Sequence, residues 1–67
     1  MQTSGYARWF RASAEGGHAA AQHCLGLMYI KGIGSARNGP EALKWWTLSA
    51  EQGYVQAQVD RRALGDA

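Results

Sequence analysis

His23 and Cys24 are the first residues to consider for chemistry, because they are adjacent. A thiol and an imidazole form a nucleophile–base pair only when the two groups share a proton. Neighbours on a helix point about 100° apart, so these two side chains do not meet in that way. His18 lies five residues before His23, whereas helical metal ligands are spaced by four. We interpret Cys24 as a core cysteine and both histidines as surface residues.

The acidic residues and the glycine-rich segment also have structural explanations. Nothing in the sequence sets two carboxylates together, as acid–base catalysis requires. Residues 31–35 read Lys-Gly-Ile-Gly-Ser and follow a predicted helix, whereas a phosphate loop follows a strand and has the order Gly-Lys-Ser/Thr. The segment is therefore predicted to be a turn. We expect a protein that is not an enzyme, with no catalytic residue, cofactor or metal.

One stretch of the chain occurs twice, 36 residues apart. Residues 6–22 and 42–58 share 7 identities over 17 aligned positions, including Trp9 with Trp45 and Gly17 with Gly53. Self-similarity at such a period is typical of a repeat array, in which each unit buries its apolar face against its neighbours. In both copies a helical pattern ends at a glycine and another helix follows. The unit is therefore two antiparallel helices joined by a short turn.

This pattern predicts an all-α fold with helices over about residues 4–15, 18–31, 39–52 and 54–64. Residues at helical spacing form one face on each of the first three helices, and the face of the second helix is an apolar stripe. In chain order these faces are Tyr6, Trp9, Phe10, Ser13 and Ala14; Ala21, Leu25, Met28 and Tyr29; and Ala42, Trp45, Trp46, Ser49 and Ala50. One aromatic of each adjacent pair is expected to lie nearer the surface, because neighbours on a helix diverge.

Several residues predict where the helices begin and end. Thr3 or Ser4 is expected to cap the first helix. Asn38 is expected to cap the third helix and to form a reciprocal capping box with Glu41. Pro40 suits the first turn of that helix. The glycines of residues 32–34 permit a sharp reversal before it.

Gly26 lies inside the second helix, where glycine costs about 1 kcal/mol relative to alanine. We attribute it to the close approach of a neighbouring helix, through Trp9 or Trp46. The fourth helix has Arg61 and Arg62 where the second has Leu25 and Gly26. This difference puts polar groups at the position where a further helix would dock.

The combined pattern resembles the Sel-one-like repeats, which are relatives of the tetratricopeptide repeats. Their elements occur here as Ala21, Leu25-Gly26, Tyr29, Gly32-Ile33-Gly34, Ala42, Trp45-Trp46, Ala50-Glu51 and Gly53. One complete unit covers about residues 18–52, with a half unit on each side, so residues 1–67 are predicted to form a single repeat domain. Ser35 and Asn38 replace the valine and the aspartate that are usual in the family.

The resemblance implies an α/α solenoid, a fragment of a right-handed superhelix, that acts as a non-enzymatic adaptor or scaffold for a protein or peptide partner. Mapping by likeness to tetratricopeptide repeats predicts contact residues on a concave surface: Ala20, His23, Leu27, Ile30, Gln56 and Val59. Leu27 and Ile30 would make apolar contacts, while His23 and Gln56 would form hydrogen bonds. Alternatively, Leu27 and Ile30 simply pack against a neighbouring element.

Two other functions remain open from the sequence. A cysteine-rich branch of these repeats is linked to β-lactam binding and would be hydrolase-like, but it has paired cysteines in each repeat and this chain has only Cys24. The other alternative is a structural homodimer in which the end helices cover each other's open faces. Concentration-dependent sedimentation distinguishes this homodimer from a monomeric adaptor.

The length and the charge of the chain limit the other classes of protein to which it could belong. A chain of 67 residues is one domain at most and is expected to be marginally stable. A net charge of +2 is too small to indicate a nucleic-acid or membrane partner. No apolar run approaches the ~20 residues that span a bilayer. Because the first residues lack the pattern of a signal peptide, a cytoplasmic location is the default expectation.

Overall fold

The computed structural model describes residues 5–66 of the chain, and the side chains of residues 8–65. Over this range the chain forms four α-helices and no strand: α1 (Gly5–Glu15), α2 (Ala19–Lys31), α3 (Gly39–Glu51) and α4 (Val55–Asp66). The predicted all-α fold of four helices is confirmed. The predicted capping residues Thr3 and Ser4 lie outside the described residues, as does the side chain of Tyr6.

The two glycine turns have the same geometry in both copies of the repeat. Gly17 and Gly53 have φ values of 101° and 90°, which suit glycine. After α1, Gly17 N–H donates to Ala14 O at 3.1 Å and His18 N–H donates to Ser13 O at 3.1 Å. This is the pair of bonds of a Schellman motif, and the residues 36 positions later form the same pair after α3. His18 is extended, so α2 begins one residue later than predicted.

The turn between α2 and α3 is stabilised by backbone and capping hydrogen bonds. Gly32 is left-handed, with φ 74°, and Asn38 Oδ1 accepts a hydrogen bond from Glu41 N–H at 3.0 Å. The predicted cap at Asn38 is therefore confirmed. The reciprocal half of the capping box is wrong, because Asn38 N–H donates instead to Tyr29 O at 3.0 Å.

The helices pack in chain order, and α2 with α3 is the most extensive pair. The central cluster draws residues from the first three helices: Ala14, Ala21, Leu25, Tyr29, Ala42 and Trp45. Phe10, Met28 and Ile30 pack partly buried against it. All five residues of the predicted α3 face are buried, so that face is confirmed. Both tryptophans of α3 are buried, which contradicts the expectation that one of each aromatic pair lies nearer the surface.

Trp9 does not belong to the core, contrary to the prediction from its spacing. It is 63% exposed, whereas its repeat equivalent, Trp45, is 6% exposed. The reason is the position of α1 at one end of the described helices. Trp45 packs in the cluster that joins α3 to α1 and α2, whereas no described helix covers α1 on the side where Trp9 lies.

Gly26 lies directly against Trp46. A Cβ atom built on Gly26 would lie 3.0 Å from Trp46 Cε2, and it would be still closer to Nε1 and Cδ1 of the same ring. Trp46 is 5% exposed, and its Nε1–H donates to His23 O at 3.0 Å, so this hydrogen bond holds the ring in place. The predicted close approach is confirmed, and the partner is Trp46 rather than Trp9.

Candidate functional site

We call α2 and α4 the A helices and α1 and α3 the B helices, because α4 repeats α2 and α3 repeats α1 after 36 residues. Three side chains of the α3 segment form hydrogen bonds with α2. They are Trp46 Nε1–H to His23 O at 3.0 Å, Ser49 Oγ–H to Ala19 O at 2.7 Å, and Gln52 Nε2–H to Gln22 Oε1 at 3.0 Å. These bonds fix the angle and register of one A helix against the B helix that follows it.

His23 and Asp60 form a polar pair that joins the two A helices. His23 Nε2 lies 2.6 Å from Asp60 Oδ2, and His23 is 7% exposed. The imidazole centroid lies 6.1 Å from the Trp46 ring and 5.4 Å from the Tyr54 ring. Buried polar groups need hydrogen-bond partners, and this pair satisfies the imidazole nitrogen. The interpretation of His23 as a surface residue was therefore wrong, because α3 and α4 cover it.

The other oxygen of Asp60 is also used. Its Oδ1 accepts a hydrogen bond from Gln56 Nε2 at 3.3 Å, one turn earlier on α4. Among the described residues, His23 makes no hydrogen bond to the side chain of a serine, threonine or cysteine. A His–Asp pair in a catalytic triad acts by activating such a hydroxyl or thiol. We interpret the His23–Asp60 pair as a structural link between neighbouring A helices.

The structure distributes the predicted contact residues over different environments. Ala20 and Gln56 are exposed, and they occupy the same repeat position on the two A helices. Leu27 and Ile30 are half-buried, and Ile30 also packs on the central cluster. We use the name inner surface for these four predicted residues, of which Ala20 also lines a groove beside Trp9 and Phe10.

The other two predicted contact residues do not lie on the inner surface. His23 is buried and its Nε2 is bonded, so it is not available to a partner. Val59 is 54% exposed and occupies the position of His23 one repeat later, on the part of α4 that would receive a further B helix. Val59 is therefore exposed on α4, on a side that none of the described helices covers.

The remaining candidates for chemistry lie apart from one another. Cys24 is a free, half-buried cysteine. The Arg11 guanidinium donates a hydrogen bond to the Tyr29 hydroxyl and lies 5.8 Å from the Tyr29 ring centroid. In the described part of the chain, no three His, Cys, Asp or Glu side chains lie together in a way that could hold a metal ion. None of the described helices combines the length and the hydropathy needed to cross a membrane.

Comparison with known families agrees with the repeated helical geometry. The family model of the Sel1 repeat matches residues 7–18 and 19–54. The chain belongs to the Sel1 repeat family. These repeats are helical repeats of the tetratricopeptide type, and they generally mediate protein–protein interactions.

Two relatives are much longer than this chain. A protein of Acanthamoeba polyphaga mimivirus that is named as sel1-like repeat-containing is 43% identical over 42 residues, which cover 63% of this chain and 7% of that protein. An F-box protein of Arabidopsis thaliana is 45% identical over 49 residues, which cover 73% of this chain and 13% of that protein. The chain therefore spans a small fraction of these relatives. No solved structure matches it at a significant level.

Proposed function

We propose that this Sel1 repeat chain is a non-enzymatic adaptor that binds a protein segment on its inner surface. The observation that carries this proposal is the link between the A helices. The His23–Asp60 bond connects α2 to α4, and the repeat-equivalent residues Ala20 and Gln56 on these helices are both exposed. Sel1 repeat proteins are typically non-catalytic scaffolds, which supports the same function.

The chemistry of the inner surface indicates the kind of segment that fits it. Ala20 is small and leaves room above α2, while Leu27 and Ile30 supply apolar area that is not fully buried. Gln56 donates to Asp60 through Nε2, so its Oε1 can accept a hydrogen bond from a backbone N–H. These features suit a peptide with apolar side chains at alternate or helical spacing. The inner surface has no charge pattern that selects a nucleic acid.

Peptide selection tests this function directly. Peptides displayed on phage would be selected on the folded chain, and their affinities would then be measured for the variants Leu27→Lys and Leu48→Lys. Leu48 is a matched control because it is a leucine on α3 with 38% exposure, away from the inner surface. We expect the Leu27 variant to lose most of the affinity, because a charge replaces the apolar contact, and the Leu48 variant to retain it.

Two outcomes would contradict the proposal. One is that the selected peptides bind the Leu27 variant as well as the parent while the variant remains folded by circular dichroism. The other is that binding depends on Leu48, which would move the partner to the outer side of α3.

A further inference from the structure

A pocket lies between α1 and the turn that follows α2. Its volume is about 380 Å³, a size that suits a small group. The residues that line it are Arg8 and Arg11 of α1, Leu25, Met28 and Tyr29 of α2, and residues 33–35 of the turn. We call it the α1–turn pocket. Leu25 and Leu27 are two residues apart on a helix and point in nearly opposite directions, so the pocket is separate from the inner surface.

The pocket is open although the elements around it have their neighbours. Most of its lining belongs to α2 and the following turn, which lie between α1 and α3. The positions on α3 that correspond to Arg8 and Arg11 are Lys44 and Thr47. Two helices precede α3, yet the side chain of Lys44 is 60% exposed and Thr47 is only half-buried. A preceding repeat therefore does not cover this side of a B helix, and the access to the two arginines comes from the repeat geometry itself.

The inside of the pocket is apolar, whereas its rim is positively charged. Leu25 and Tyr29 are buried and form the floor. Met28 is half-buried and Ile33 is exposed, so both offer apolar area to a group that enters. The two arginines of α1 are exposed. A ligand of this pocket therefore combines an apolar part with an anionic part.

The Tyr29 hydroxyl supplies a hydrogen-bond donor next to the arginines. It accepts a hydrogen bond from the Arg11 guanidinium. A phenol hydroxyl both accepts and donates, so its own hydrogen can be directed at a further acceptor, and within the described part of the chain no oxygen takes that hydrogen. An ionised carboxylate has acceptor atoms only, so it can receive bonds from the hydroxyl and from a guanidinium at the same time.

The charges around the pocket favour a ligand group with one negative charge. Arg8 and Arg11 carry two positive charges, and Glu15 Oε2 lies 3.8 Å from Arg11 Nη1. Arg8 forms no ion pair within the described residues. Two positive charges and one negative charge leave a net charge of +1. A carboxylate balances this charge, whereas a phosphate group, with a charge of about −1.5 to −2, exceeds it.

We propose that the α1–turn pocket binds the carboxylate of a glutamate or aspartate in a partner protein, with an apolar neighbour of that residue in contact with Met28 and Ile33. Arg8 and Arg11 hold the carboxylate at the rim through charge-assisted hydrogen bonds, and the Tyr29 hydroxyl donates to it. This inference goes beyond the proposed function, because the pocket is a second recognition site outside the inner surface.

Titration of the isotope-labelled chain with short peptides, followed by nuclear magnetic resonance, tests the pocket. The probes are blocked pentapeptides of sequence Gly-Leu-X-Leu-Gly, in which X is glutamate, glutamine or phosphoserine. We expect the glutamate peptide to shift the amide signals of Gly34 and Ser35. It should bind at least about tenfold more tightly than the glutamine peptide, because a hydrogen bond to a charged group is worth about that factor. The phosphoserine peptide should bind no more tightly than the glutamate peptide.

Variants of single arginines assign the binding to the pocket. Arg8→Gln removes one charge from the rim, and Arg62→Gln, at an exposed position on α4, is the matched control. The Arg8 variant should bind the glutamate peptide at least about tenfold more weakly than the parent, and the Arg62 variant should bind it like the parent. Tyr29→Phe removes only the hydroxyl and should weaken the same binding severalfold. Circular dichroism melts establish that each variant is folded.

Four results would overturn the proposal. The first is that the glutamate peptide does not bind, and the second is that the glutamine peptide binds as tightly. The third is a phosphoserine peptide that binds more than about tenfold more tightly than the glutamate peptide, which would contradict the charge argument. The fourth is that Arg62→Gln weakens binding as much as Arg8→Gln, since net charge alone would then attract the peptide.

The variant Leu27→Lys separates this site from the inner surface. It should keep the parent's affinity for the glutamate peptide, because Leu27 does not line the pocket. Failure of the pentapeptide titration therefore leaves the inner surface untested by it, and failure of the phage selection at Leu27 leaves the pocket standing. A loss of pentapeptide binding in the folded Leu27 variant would place the carboxylate on the inner surface and contradict the pocket.

Discussion

The two A helices, α2 and α4, occupy the same position in successive repeats, but among the described helices only α2 has a B helix on both sides. Leu25 and Gly26 of α2 are buried, and Gly26 lies against Trp46. Their equivalents on α4 are Arg61 and Arg62, which are exposed.

Whether a position is alike in the two A helices depends on how far away along the chain its partner lies. The bonds that stay the same in both repeats are local, such as Gln22 Nε2–H to Ala14 O at 3.0 Å and Gln58 Nε2–H to Ala50 O at 3.2 Å. In both cases the acceptor lies eight residues earlier, near the end of the preceding helix, so the bond spans one glycine turn. The positions that differ are those that in α2 face the following B helix, as Gly26 faces Trp46. Stability experiments can test this distinction position by position, at low protein concentration so that association does not contribute.

The largest difference in the free energy of unfolding should be between the variants Leu25→Ala and Arg61→Ala. Leu25 is 4% exposed in the central cluster, and truncation of a buried leucine costs about 2–5 kcal/mol. Arg61 is exposed on α4, so its truncation should change the free energy of unfolding by less than about 0.5 kcal/mol. Urea titrations of the two variants and the parent measure both values. Equal losses would mean that α4 is packed as fully as α2.

Gly26→Ala and Arg62→Ala test the close approach of α3. An added methyl at Gly26 must displace the hydrogen-bonded Trp46 ring, and overpacking of this kind costs about 1–3 kcal/mol. The gain in helix propensity of about 1 kcal/mol opposes this cost but does not exceed it. We expect a lower melting temperature for the Gly26 variant and a near-neutral or slightly higher one for the Arg62 variant. A Gly26 variant that melts at or above the parent temperature would contradict the contact with Trp46.

Asp60→Ala and Val59→Ala test the link between the A helices. Removal of the carboxylate leaves His23 Nε2 buried without its partner, at a cost of about 1–3 kcal/mol. The neighbouring Val59 is exposed and has a helix propensity close to that of aspartate, so its change to alanine is a matched control. A double-mutant cycle with His23→Ala should give a coupling free energy above about 0.5 kcal/mol. Additive effects would show that the pair does not stabilise the fold.

The smallest difference in the free energy of unfolding should be between the variants Gln22→Ala and Gln58→Ala. Gln22 donates to Ala14 O and also accepts from Gln52, whereas Gln58 has, within the described part of the chain, the bond to Ala50 O alone. One further hydrogen bond is worth about 1 kcal/mol, so the Gln22 variant should lose that much more stability than the Gln58 variant. Chemical denaturation of both variants measures the difference. Equal losses would mean that the bond from Gln52 contributes nothing.

Much of the fold was predictable because its determinants are local. The glycines at 17, 32 and 53 take the left-handed conformations that end helices, and Asn38 caps α3 through a residue three positions later. The period of 36 residues predicted the helix pairs and their repetition. The interaction surface was less predictable, since the burial of a residue depends on which helices surround it.

The sequence by itself determined the helices, their turns, the family and the presence of a tight contact at Gly26, because each depends on residue types at short spacing. Only the tertiary structure decided that Trp46 fills this contact, that Trp9 stays exposed and that His23 pairs with Asp60. Gly26 and Trp46 are 20 residues apart along the chain, and His23 and Asp60 are 37 residues apart. A single sequence does not by itself decide between possible partners at such distances, since the contacts form only when the helices pack against one another.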